Sequence, residues 1–456
     1  MSGAVAAHAA YNGSGTQGLA VTNKITDPNG GDVMSVFWNK NDTTRQLLHG
    51  AAFIDIPTSG NGGSTSYGGN QIFTLNNDID AVGELFLHIN ATNGTAMKMG
   101  GSLAAIVKRI EFHVGTQIWH TLEKEDIIAL NNTEMPEGVH AAATRSLFGS
   151  YTSDGKKNKG ATLGNLVAAG TGAAGVLRIP TISRKVFPTM SKFSNHAENA
   201  YLVAAAPHQT VKIKVYLEST TYVKDNVFIN AAGSAGLAAN LLPTLELKLY
   251  GQHLIMCNEE REQMKKMENG MPKRIKMSQN VTYLPTDAQH GWDGSAGVTS
   301  EFSMDLDHFS LYASHLIVTL IGKTQALGSV QYTSATAQCL DEIELKLNSS
   351  SFSGTLKGSL LLGPSSDMLG LHHNVESHYD GTNDNPVGVY RTYVFPLASQ
   401  AYTGSSVPLN RFDNIRLSML LSEPISQNDV VSKVVVTCAG ETTALFKGGA
   451  ASLAMY

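Results

Sequence analysis

Apolar and polar positions alternate with a period of two along most of the chain. In VKIKVYL, Val211, Ile213, Val215 and Leu217 fall on one side, and Lys212, Lys214 and Tyr216 on the other. Leu245, Leu247 and Leu249 stand in the same way against Glu246, Lys248 and Tyr250. The pattern recurs with Phe302, Met304 and Leu306, with Ile343, Leu345 and Leu347, and with Ile415, Leu417, Met419 and Leu421. Side chains alternate across a strand, so each run predicts a half-buried antiparallel strand. Roughly eight such signals lie in each half of the chain.

One segment breaks the alternation. Residues 257–275, CNEEREQMKKMENGMPKRI, read as a short helix. Asn258 can cap it, and Glu259 and Glu260 suit the positive end of the dipole. Gly270 and Pro272 are stop signals. Met264, Met267 and Met271 form a narrow apolar stripe for packing on a sheet. The chain is therefore expected to be all-β, with two antiparallel eight-stranded β-sandwiches in tandem. The divisions are an N-terminal arm over 1–24, a first sandwich over 25–257, a connector helix over 258–272, a second sandwich over 273–450 and a tail over 451–456. Closure of so many strands calls for a sandwich or jelly roll. Pattern alone leaves the strand order open.

Composition narrows the function. With 456 residues the chain can bury two cores, and only 16% of it is charged. The net charge of -5 and the lack of a Lys/Arg-rich face argue against direct contact with nucleic acid. The first residues, MSGAVAAHAAYNGSG, do not read as a signal peptide. Three separated cysteines, Cys257, Cys339 and Cys438, read as buried free thiols. Long segments at 57–71, 151–175 and 372–387 exceed simple turns and read as projecting loops or inter-subunit clasps.

No catalytic motif, cofactor motif or metal spacing is present, so the chain is not expected to be an enzyme. His372, His373 and His378 share one loop with Glu376, and read as solvent-facing histidines rather than a zinc site. His113 falls on the polar side of its strand, which predicts a surface role. Of seven N-x-[ST] sequons, Asn280 and Asn348 are the positions considered for glycosylation, against an expectation that most arise by chance. Two function classes remain: a structural assembly protein, and a carbohydrate-binding or adhesive β-sandwich protein of a virion or cell surface.

The segment GVYRTYVFPLASQAYTGSSVPLNRFDNIRLSMLL separates them. It resembles the signature of the major capsid proteins of nucleocytoplasmic large DNA viruses, the double jelly-roll family. There a strand GIYxYSFAL is followed by a loop and then PSGxxNFSRIDNxxL. Gly388, Val389, Tyr390, Tyr393, Phe395 and Leu397 match the first part. Gly404, Ser405, Asn410, Arg411, Asp413, Asn414 and Leu417 match the second. Val407, Pro408 and Leu409 depart from the pattern. Weaker likenesses follow in the family's order, at 72–89, at VKRIEFHVGTQIWHTL, at Glu259, Glu260 and Arg261, at LKLNSSSF and at GGAASLAMY.

The resemblance implies a tandem double jelly roll that trimerises into pseudo-hexameric capsomers of an icosahedral shell. The implied partners are its own copies, neighbouring capsomers, minor capsid and penton proteins, and an inner viral membrane beneath the shell. The implied location is the virion capsid, assembled in cytoplasmic virus factories of the host cell. No cofactor is implied. Asn410, Arg411, Asp413 and Asn414 are expected to lock a loop to its strand. Asn410 and Asn414 would satisfy backbone groups at a buried corner, and Arg411 would pair bidentately with Asp413.

Overall fold

The computed structural model describes residues 50–59, 65–75, 78–147, 161–162, 166–170, 172–180, 200–232, 236–256, 258, 261–262, 271–285, 300–322, 338–374, 376–379, 386–399, 401, 406–423 and 430–454. The arm expected over 1–24 and most of the expected connector lie outside these residues.

The first half contributes β1 (Gly50–Ile56), β2 (Asn70–Leu75), β3 (Ala81–Thr92), β4 (Val107–Val114), β5 (Gln117–Glu123), β6 (Gly172–Ile179), β7 (Val211–Leu217) and β8 (Thr244–Ile255). They form two four-stranded sheets, in the orders β1-β8-β3-β6 and β2-β7-β4-β5. The second half contributes β9 (Met271–Tyr283), β10 (Ser300–Asp305), β11 (Tyr312–Gly322), β12 (Leu340–Leu347), β13 (Ser350–Ser351), β14 (Pro386–Pro396), β15 (Ile415–Leu421) and β16 (Val431–Lys447). Their main strands run in the orders β9-β16-β11-β14 and β10-β15-β12-β13, and the first sheet continues past β14 through Glu376–Tyr379 to Ala161–Thr162. Adding eight to each strand number of the first half gives the second, so one strand order occurs twice.

The alternating runs fold as their pattern requires. Val211, Ile213, Val215 and Leu217 are buried, as are Leu245, Leu247 and Leu249, and Ile415, Leu417, Met419 and Leu421. At the β4–β5 hairpin Gly115 takes φ +60, a conformation that costs glycine nothing. In β11 and the middle of β16 both faces are buried, because the β9-β16-β11-β14 sheet is covered on both sides.

Five sequence expectations need correction. Two helices, α1 (Lys124–Glu134) and α2 (Glu137–Leu147), stand between β5 and β6 where no helix was expected. Every α1 residue from Asp126 to Glu134 is buried, so no polar stripe betrays a helical period. Asn258, Arg261 and Glu262 are helical, but Met271 and Pro272 already belong to β9, opposite Phe446 and Leu445. Ala451–Ala454 are not a tail: with Ala450 they form a strand paired to Thr443–Lys447 of β16. The presumed loops at 151–175 and 372–387 contain strand, including Leu166–Val167, the start of β6 and Glu376–Tyr379. His113 is buried rather than surface-facing, because Glu111 binds it at 3.0 Å while also accepting from Tyr216 Oη and pairing with Arg109.

Candidate functional site

A polar network joins the two sandwiches, and α1 is its centre. The helix starts from a capping box: the backbone N–H of Glu123 donates to Asp126 Oδ2 at 3.1 Å, and the Glu123 side chain accepts from the Asp126 backbone. Asp126 then reaches the second sandwich. Thr437 Oγ1 on β16 donates to Asp126 Oδ1 at 2.6 Å, and Asn280 Nδ2 on β9 donates to Oδ2. Next to it, Lys433 Nζ on β16 pairs with Glu125 Oε1 at 2.6 Å. Burial works against ionisation of Glu125, but Lys433 outweighs it and holds this carboxyl below the usual range.

The other end of α1 is finished by the second sandwich as well. A helix leaves its last carbonyls without partners of its own. Here His372 N donates to Thr133 O at 2.9 Å, and Asn374 Nδ2 donates to Asn132 O at 3.0 Å and Met135 O at 2.6 Å. His120 on β5 adds a further contact, since Ser278 N, on the free edge of β9, donates to His120 Nε2 at 3.2 Å. Covering an edge N–H in this way removes a site for unwanted strand pairing.

A second contact lies at the C-terminal end. His208 N donates to Gly449 O at 3.0 Å, and Ala451 N donates to Gln209 Oε1 at 2.7 Å. Gly449 has φ +77, and a β-carbon there would collide with the His208 ring. Tyr201 carries the apolar core across: its ring lies 5.6 Å from both Phe112 and Trp119 and 5.8 Å from Phe446. On the first sandwich, Arg261 clamps the buried Asp80 through two bonds, Nε–Oδ1 at 2.5 Å and Nη2–Oδ2 at 2.7 Å.

The expected loop-locking residues fall elsewhere. Leu409–Arg411 form a short 3-10 turn leading into β15. Asn410, Arg411, Asp413 and Asn414 are all exposed. Arg411 and Asp413 form no ion pair among the described residues, so the expected buried bidentate pair is absent. The corner is held from outside the motif. Asn348 Oδ1, in the turn after β12, accepts from Asp413 N at 2.9 Å and Asn414 N at 3.2 Å. Asp307 Oδ1 accepts from Ile415 N at 2.6 Å. The departing residues Val407 and Pro408 pair with Ala313 and Tyr312 of β11.

Asn348 and Asn280 thus both carry structural hydrogen bonds. Asn348 is exposed, whereas a glycan on Asn280 would displace its bond to Asp126. Among the described residues no group of three side chains could hold a metal ion. Cys339 is a half-buried free thiol and Cys438 a buried one whose pKa burial pushes up, while Cys257 lies outside the described residues.

Solved structures share this fold. PBCV-1 VP54, solved as a crystal structure and fitted into a reconstruction of the virophage Sputnik, is 14% identical over 91% of this chain and 99% of its own, with a TM-score of 0.64. A quasi-atomic structure of the PBCV-1 virus capsid gives 14% identity, 91% and 99% coverage and a TM-score of 0.63. The Faustovirus major capsid protein is 9% identical over 96% of both chains, with a TM-score of 0.52. The chain has the double jelly-roll fold. No protein-family model and no curated protein matches the sequence. In the double jelly roll, the motif at 387–421 contributes β14, the short pairing beside β11 and β15.

Proposed function

We propose that this protein is a major capsid protein that homotrimerises into pseudo-hexameric capsomers of an icosahedral shell in a large DNA virus. The observation that carries this reading is the repeated strand order. Two equivalent sandwiches fixed side by side by a buried joint form a block with two similar lobes, and three such blocks give six lobes around an axis. The solved structures of similar fold carry capsid names, which supports the reading. The proposed units run through Met256 and from Met271, with the intervening segment as connector and the first residues as an arm.

On this reading the protein is a structural component of the virion without catalytic activity. It is made in cytoplasmic virus factories and meets its own copies, neighbouring capsomers, minor capsid and penton proteins and an underlying membrane. The cluster Asn410, Arg411, Asp413 and Asn414 would then be structural, with Asn348 as its anchor.

Size-exclusion chromatography with light scattering is the first test, followed by negative-stain microscopy of the peak. The expected result is a particle of three chains with a six-cornered outline. A monomer that binds a glycan array would instead support an adhesive β-sandwich.

A further inference from the structure

Asp126 lies at the middle of the joint and is 1% exposed. Its two oxygens are bound by different kinds of donor. Oδ2 accepts from the backbone N–H of Glu123, which can only donate, and from the side-chain amide of Asn280, whose Nδ2 is turned toward it. Oδ1 accepts from the Thr437 hydroxyl at 2.6 Å, and a hydroxyl can turn from donor to acceptor. The surrounding charges are otherwise engaged. Glu125 on α1 is paired with Lys433 on β16. His120 on β5 faces Ser278 of β9, and the buried His315 of β11 is 2.8 Å from Ser314 Oγ. No cationic side chain lies within ion-pair distance of Asp126 among the described residues.

We propose that the Asp126–Thr437 contact is a proton switch in the joint between the sandwiches. In the ionised state Thr437 donates to Oδ1. When a proton from solvent is added to Oδ1, Asp126 donates and the Thr437 hydroxyl rotates to accept, while Oδ2 keeps both of its N–H donors. The joint is stronger in the protonated state, because a carboxylate buried without a cation is replaced by a neutral acid with every bond retained.

The first-turn N–H groups of α1 favour the anion, but burial comes first among the opposing influences and Glu125 adds to it. Together they raise the Asp126 pKa to about 6. The folded state therefore holds the proton more tightly than the unfolded chain, whose aspartates titrate near ~3.9. This contribution to stability is present below about pH 4 and is lost as pH rises through about 6.

The test compares wild type with Asp126→Asn by thermal unfolding between pH 5 and 7.5. An asparagine reproduces the protonated form: its oxygen keeps the two N–H donors and its amide donates to Thr437. The variant should melt several degrees above wild type at pH 7.5, with the gap closing toward pH 5. A gap that does not change with pH overturns the proposal. Infrared difference spectra in heavy water give a second readout. Wild type should gain a buried carboxylic-acid C=O band between pH 7.5 and 5 that Asp126→Asn lacks. Thr437→Val, which offers no acceptor, should shift that band to higher frequency. If Asp126→Asn fails to fold, the wild-type and Thr437→Val spectra still decide, and absence of the band in wild type refutes the switch.

Discussion

Asn348 does the work that the neighbouring polar motif was expected to do. Its φ of +48 places it in the left-handed region, which asparagine tolerates better than most residues. One oxygen then binds two successive backbone N–H groups at the head of β15. Replacement by alanine loses those bonds and strains the turn, at a cost of about 1–3 kcal/mol. Arg411→Ala removes an exposed side chain with no ion partner among the described residues and should change stability by no more than about 0.5 kcal/mol. Urea unfolding of both variants checks the ranking. An Arg411 variant weaker than the Asn348 variant would return the locking role to the motif itself.

At the scale of elements, the helical insertion between β5 and β6 controls how the protein responds to acid. His140 on α2 is buried, and its Nε2 lies 2.6 Å from Asn132 Oδ1 of α1. Burial lowers its pKa to about 4. The unfolded chain then binds a proton that the folded chain refuses, so stability is whole above ~6.5 and falls as pH drops toward 4. The difference amounts to about 3 kcal/mol at pH 4. His140→Gln can keep the bond to Asn132 without titrating. It should remove that part of the acid loss, measured as the pH dependence of the unfolding midpoint against wild type. The sign is opposite to that of Asp126, so the two effects mask each other in the wild-type profile and only the variants separate them.

For the whole molecule, the joint is expected to make the two sandwiches unfold together. The last strand takes part, since Ala450–Ala454 extends the β9-β16-β11-β14 sheet while Ala451 and Gly449 bind the first sandwich. Ending the chain after Gly449 exposes the edge of β16 and removes the Gln209 bond. The loss should be at least about 2 kcal/mol, or roughly 4–8 °C for units of this size. Calorimetry should show the single transition of the full chain divide into two. A truncated chain with one transition at an unchanged temperature would show that the strand has no part in the coupling.

The sequence by itself determined the β class, the buried face of each alternating strand and the presence of two sandwiches. Those properties rest on a period of two that is local: Val211, Ile213, Val215 and Leu217 point one way whatever lies beyond them. The order of residues at 387–421 also pointed to the jelly roll, because its strand, loop and strand are contiguous in the chain. Only the tertiary structure decided what meets across long separations. Helix α1 escaped detection because its burial comes from both sandwiches, which erases the polar stripe a surface helix would show; α2 instead packs on β6 and leaves Glu137, Gly138 and Val139 exposed. The exposure of Arg411 and Asp413 follows from Asn348 and Asp307, which arrive from other strands and take the backbone bonds first. Asp126 reads as an ordinary first-turn acid of a helix. It becomes the centre of the joint because β9 and β16, more than 150 residues away in the chain, close over it and exclude water and cations.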